Sequence, residues 1–221
     1  MTRPVNSEPT TASTGDPRGR TAVTALARRA VRFEAGSWRS LARWLLRRPD
    51  LAPGDTPFPY RGPLLAPMLV MTGLSVLEVV ALDLLLPWPG LRLVLLVVGV
   101  WGTIMMLGML AAVTVHPHAA GPSALRIRHG TSLDVHIGWD AVAGVRHVRR
   151  SRPGSRSVQT DGGRLFVLVG GQTTVEIELA RPVAVALPGD RSAEVTTVCL
   201  YADDSRGLVS AVRASLRSSE P

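Results

Sequence analysis

Two apolar runs, residues 64 to 86 and 91 to 115, limit this chain more than any other feature. Each is close to the roughly 20 residues that a helix needs to cross a hydrocarbon core about 30 Å thick. Only PWPG separates them, so two helices joined there must return antiparallel and leave both long flanks on one side of a bilayer. Charge selects the side. Arg39, Arg43, Arg47, Arg48 and Arg61 precede the first run and Arg126 and Arg128 follow the second, whereas the hairpin tip offers Arg92. The positive-inside bias then predicts a multi-pass protein of the cell membrane with both termini cytoplasmic. The same bias accounts for most of the formal charge of +8, carried by 25 basic residues that are all arginine. Once those flanks are assigned, no basic stripe with interleaved aromatics remains, so nucleic acid is not expected as a partner.

Polar residues inside the runs ask for an explanation. At 1.5 Å per residue from Pro87, Asp83 lies roughly 6 Å below the turn and Glu78 roughly 13 Å. Antiparallel registration sets Asp83 level with Val94 and within a turn of Arg92, which predicts an ion pair near the outer surface. Glu78 falls level with Gly99, where Trp101 offers an indole N–H and Thr103 a hydroxyl. A hydrogen bond across the hairpin would satisfy a neutral carboxyl there. Intramembrane acids are functional candidates in general. Two readings of Glu78 follow: a helix-packing or partner-docking group, or one element of a proton or ion pathway that an oligomer would have to complete.

Upstream, residues 1 to 20 are rich in Pro, Thr, Ser and Gly and read as a disordered tail without the apolar core of a signal peptide. Residues 21 to 63 comprise an amphipathic helix and a connector. Trp38, Leu41, Ala42 and Leu45 recur at helical spacing, and Arg39, Arg43 and Arg47 run along another face. Trp38, Arg39, Arg43, Trp44, Arg47 and Arg48 together predict a helix lying at the membrane surface among anionic headgroups. Five prolines in RRPDLAPGDTPFPYRGP end it and force an extended link.

From residue 119 the pattern changes to short alternating segments: LRIRH, LDVHIGW, VAGVRHV, RLFVLVG, TTVEIEL, PVAVAL and AEVTTVCLYA. These predict about seven strands. At the end, Asp203 or Asp204 can cap a helix carrying Leu208, Val212 and Leu216 on one face, suited to closing the open end of a small antiparallel barrel. At a predicted strand end and the loop after it, Arg146, Arg149, Arg150, Arg152 and Arg156 cluster in RHVRRSRPGSR and are candidates for partner or lipid binding. Other constellations carry less. His116 and His118 in VHPH read as a solvated membrane-edge segment rather than a metal site, and Cys199 in an apolar run reads as a small buried hydrophobe. The GG and DGG elements are turns, since no Lys and Ser or Thr at a helix start follow them.

Seven strands followed by a C-terminal helix, with the Trp139–Asp140 pair in DVHIGWDAVAGVRHV, resemble the pleckstrin-homology-like domains of bacteria. The stretches FEAGSWRSLARWLLRRPD, LLLPWPGLRLVLLVVGVWG and VHPH resemble a group of small actinomycete-type integral membrane proteins. That resemblance implies an architecture and no catalytic residues.

The fold class expected is therefore a membrane α-helical hairpin at 64 to 115 plus a small PH-like β-barrel with a C-terminal helix at 119 to 221. A non-catalytic, membrane-anchored scaffold or accessory subunit is expected, without cofactor or metal. Its expected partners are the lipid bilayer, a membrane or cytoplasmic protein, and further copies of itself.

Overall fold

A computed structural model describes residues 17–154, 156–189 and 191–219. Most of the expected N-terminal tail lies outside these residues, but Pro17 already opens helix α1 (Pro17–Leu45), so helix begins before residue 21. The chain divides into a unit ending at Ala35 and a second running from Gly36 onward; everything that follows concerns the second.

Two long apolar helices, α2 (Gly62–Leu85) and α3 (Pro89–Val115), form an antiparallel pair. Each has proline within its first two residues, where the missing N–H costs nothing. Leu86 is extended because it precedes Pro87, and this ends α2. Met68, Thr72, Ser75, Val79 and Leu82, three and four residues apart, are among the partly or fully buried positions of α2 and mark one stripe along it. The helices meet closely at Gly99, where an added Cβ would come 2.5 Å from a Val79 methyl carbon. Outside this seam both helices leave large apolar side chains uncovered, among them Val70, Leu77, Leu84, Leu93 and Val98. By length and composition both could cross a membrane.

Among the described residues nine strands follow or precede these helices: β1 (Thr56–Phe58), β2 (His118–Ala120), β3 (Ala124–His129), β4 (Leu133–Gly138), β5 (Val142–Ser151), β6 (Val158–Asp161), β7 (Arg164–Val167), β8 (Gln172–Leu187) and β9 (Arg191–Leu200). They pair as a four-stranded sheet in the order β1-β2-β3-β4 and a five-stranded sheet in the order β5-β8-β9-β7-β6. The expected closed barrel is not formed: the ladders end at β1, β4, β5 and β6, leaving two sheets with edges. The chain changes sheet at a 3-10 turn, Trp139–Ala141, where Trp139 is buried and its indole N–H donates to the Gly121 carbonyl at 3.1 Å.

Leu125, Ile127, Val135 and Ile137 from the first sheet share one core with Val175, Ile177, Val198 and Leu200 from the second. Helix α4 (Ser205–Ser219) packs Leu208 and Val212, both fully buried, and part of Leu216 against it. Asp204 caps α4 by accepting from the Gly207 N–H at 2.8 Å. Asp203 instead accepts from the Gly62 N–H at 2.9 Å and ties the start of α2 to the sheets.

Candidate functional site

The predicted arginine cluster lies on the face of the five-stranded sheet that points away from the core. Register alone builds it. Arg146 pairs with Glu176, Glu176 with Cys199, Cys199 with Phe166, and Phe166 with Gln159, so one row crosses all five strands on a single face. Val175, Ile177 and Val198, one position along, point into the core. Glu176 is the anchor of the row, 1% exposed, accepting from Arg146 Nε at 3.1 Å and lying 2.7 Å from Arg150 Nη2. Burial pushes its carboxyl pKa up, but the Arg146 hydrogen bond and the charges of Arg150 and Arg146 outweigh this and hold it below the usual range. Such a carboxylate fixes two long side chains that would otherwise wave in solvent.

Around that anchor, Arg146 also lies 2.8 Å from Glu178, and Arg149 donates to Gln172 Oε1 at 2.8 Å. Arg152 donates to Asp161 Oδ2 at 2.7 Å and stacks its guanidinium 4.4 Å over the Phe166 ring. Arg164, cross-strand neighbour of Asp161, has no ion-pair partner among the described residues. Arg150, Arg152, Asp161, Arg164 and Phe166 line an open cleft of about 510 Å³. Arg156 is not part of it. It faces a separate cavity of about 350 Å³ with Gln159, Leu187 and Arg191. Beneath the cleft Cys199 is buried, and burial together with the Glu176 charge pushes its thiol up to about 11, the behaviour of a packed small side chain rather than a nucleophile.

The cleft lies close to the hairpin. Arg152 donates its backbone N–H to Gly171 O at 2.8 Å, and the adjacent Gly170 packs so closely on Pro63, in the first turn of α2, that a Cβ would come within 3.2 Å.

Within the hairpin, Arg92 donates to Asp83 at 2.6 Å. Glu78 departs from expectation. Val79, not Glu78, occupies the seam against Gly99; the Thr103 hydroxyl bonds its own helix at Gly99 O, 2.9 Å away, and Trp101 packs edge-on against Trp38 at 6.2 Å. The physical reason is angular. Matching depths along a hairpin fixes which residues are level, but the 100° step per residue turns Glu78 off the buried seam defined by Thr72, Ser75 and Val79. Glu78 is exposed and has no partner among the described residues.

The surface-helix residues divide. Trp38 and Leu45 are exposed, while Ser37 and Ser40 are buried, and Ser37 lies so near Gly108 of α3 that a Cβ there would come within 2.9 Å. Arg39 is exposed and Arg43 pairs with Asp50 at 2.5 Å. Trp44, Arg47 and Arg48 border an open groove at the end of α3.

Two clusters escaped the sequence reading. Asp50 accepts from Arg128 Nη2 at 2.9 Å and from Arg43, with Arg126 at 3.9 Å and His116 at 4.0 Å. Burial raises its carboxyl pKa, but Arg43, Arg126 and His116 hold it below the ordinary value. VHPH is not a solvated segment: His118 is fully buried, its ring 4.7 Å from that of Tyr60, which also stacks on His129 at 5.9 Å. The sequence carried no signal for it, because the pairing of the short strands β1 and β2, which sets Phe58 beside His118, is announced by no alternation in TPF or HAA. Comparison of the chain with protein families, with characterised proteins and with solved structures finds no match to any of them.

Proposed function

We propose that this chain is a non-catalytic, membrane-anchored docking module: the α2–α3 hairpin crosses the bilayer with both flanks cytoplasmic, and the sheet domain holds an acidic protein partner at the leaflet surface. Two facing sheets, an aromatic–acid corner at Trp139–Asp140 and a helix packed on the core support a pleckstrin-homology-like reading of that domain, within the architecture of the small actinomycete-type membrane proteins that the sequence resembles. The observation that carries the partner is the braced arginine face. Attraction to an anionic leaflet needs only mobile, uncompensated point charges. Here Glu176 holds Arg146 and Arg150, and Asp161 holds Arg152 over the Phe166 ring, an arrangement suited to the fixed carboxylates of a protein segment.

Charge reversal tests this. Gentle extraction from the native membrane should yield the full chain with a stoichiometric second protein, and Arg152→Glu with Arg164→Glu should release that protein while the chain stays in the membrane. A chain that purifies alone, or a second protein that survives the double reversal, would reject the proposal. Loss of leaflet contact without loss of any protein would point to lipid instead.

The exposed, partnerless Glu78 favours a second reading, an oligomeric proton or ion pathway. Reconstituted liposomes would then conduct, and Glu78→Gln would abolish the flux at unchanged oligomer mass. Absence of flux from a reconstituted homo-oligomer removes this reading.

A further inference from the structure

Helix α1 ends in a left-handed cap. The Arg47 N–H donates to Trp44 O at 3.0 Å and the Arg48 N–H to Arg43 O at 2.9 Å, the paired bonds of a Schellman motif. Glycine ordinarily fills the left-handed position, since a Cβ is disfavoured there. This chain uses Arg47, with φ of 51°, the one non-glycine residue of positive φ among those described. Strain of this kind is kept where the side chain it carries is needed.

The surroundings of Arg47 indicate the need. Trp44, Leu45, Arg47, Arg48, Thr114 and Val115 border an open groove of about 520 Å³. Val115 is the last residue of α3, so the groove opens where the second apolar helix ends. Its two halves differ in chemistry. Trp44 and Leu45 give an uncovered apolar wall, 39% and 70% exposed. The guanidinium groups of Arg47 and Arg48 have no partner among the described residues, whereas Arg43, one turn earlier, is held by Asp50.

We propose that this groove binds one anionic phospholipid, its phosphate held by Arg47 and Arg48 and the upper part of an acyl chain lying along Trp44 and Leu45. A free anion would leave the apolar wall unused, and a zwitterionic lipid would bring its own ammonium up to the two arginines and cancel the attraction of its phosphate. The site rests on the hairpin crossing the membrane, and it is distinct from the arginine cleft on the five-stranded sheet.

Arg47→Gly offers an unusually clean test, because glycine suits the left-handed position and the cap survives without the guanidinium. Full-length protein, Arg47→Gly, and Arg47→Gly with Arg48→Gln would be purified in a neutral detergent. Their thermal midpoints would be followed with phosphatidylglycerol, with phosphatidylcholine and with inorganic phosphate. Phosphatidylglycerol should raise the wild-type midpoint by about 5 °C, a shift reduced in the single variant and absent in the double, while the lipid-free single variant melts no lower than wild type. The proposal is overturned if the shift survives in the double variant, if phosphatidylcholine matches it, or if inorganic phosphate alone reproduces it. Failure of the membrane reading shows separately, as release of the chain from native membranes by an alkaline carbonate wash.

Discussion

His118 shows how one ring can set the pH response of a domain. Its Nδ1 accepts the Arg128 backbone N–H at 3.1 Å and its Nε2 donates to the Tyr201 carbonyl at 3.0 Å, an assignment open only to the neutral ring. Burial, with His129 nearby, lowers its pKa from 6.5 to about 4. The unfolded chain therefore binds a proton that the folded one refuses. Its contribution to stability is complete above pH 6.5 and is lost as pH falls towards 4, at about 1.4 kcal/mol per pH unit for one site. His129, lowered by burial as well, steepens the same decline. Asp50 and Glu176 act in a lower window, since their depressed carboxyls lose their contribution only as pH falls below the usual carboxylate range. Chemical unfolding of the full chain in detergent should show this fall between pH 6.5 and 4, and His118→Gln, which keeps a donor near the Nε2 position, should flatten it. Parallel curves for the two proteins would remove His118 from the account.

At the scale of elements, legibility followed the length and periodicity of each segment. The two apolar runs, the strands beginning at Ala124, Leu133, Val142, Arg164 and Arg191, and the face of α4 were readable because one period governs each of them. Pro182 misled: TTVEIEL and PVAVAL read as two strands, yet β8 runs unbroken from Gln172 to Leu187. The proline falls between Glu178 and Val183, where the register with β9 shifts, so it removes no ladder bond that a regular strand would need. Strand β6, VQTD, is a polar edge strand of four residues and carries no alternating signal of its own. In α1 the apolar stripe leaves Trp38 and Leu45 exposed, Trp38 resting edge-on against Trp101, while Ser37 and Ser40 are the buried positions. Small side chains permit the close approach at Gly108, and a hydrophobic pattern gives them no weight. The arginine cleft was visible as composition, but its bracing by Glu176 depends on a register between strands thirty residues apart in sequence.

Across the second unit, residues 46 to 61, expected as an extended connector, form a clasp. At one end Asp50 donates its backbone N–H to Val115 O at 3.0 Å, while its carboxylate joins Arg43 of α1 to Arg128 of β3. At the other, the Asp203 N–H donates to Pro59 O at 2.8 Å and the Tyr60 hydroxyl accepts the Gly130 N–H at 2.7 Å. The start of α2 and the end of α3, the helix ends remote from the PWPG turn, are thereby fixed to the sheets. Arg128 is the vulnerable point, because it is 1% exposed and relies on Asp50 for its nearest counter-charge. Asp50→Ala removes the nearer counter-charge, leaving the buried guanidinium with Asp134 at 3.6 Å, and should cost about 3 kcal/mol in equilibrium unfolding, with faster proteolysis in the clasp. Asp50→Ala combined with Arg128→Met removes both partners and should recover much of the loss, since an apolar side chain of similar length replaces the under-compensated guanidinium. A double variant as unstable as the single would mean that the clasp is held by its backbone bonds and that the ion pair only decorates it.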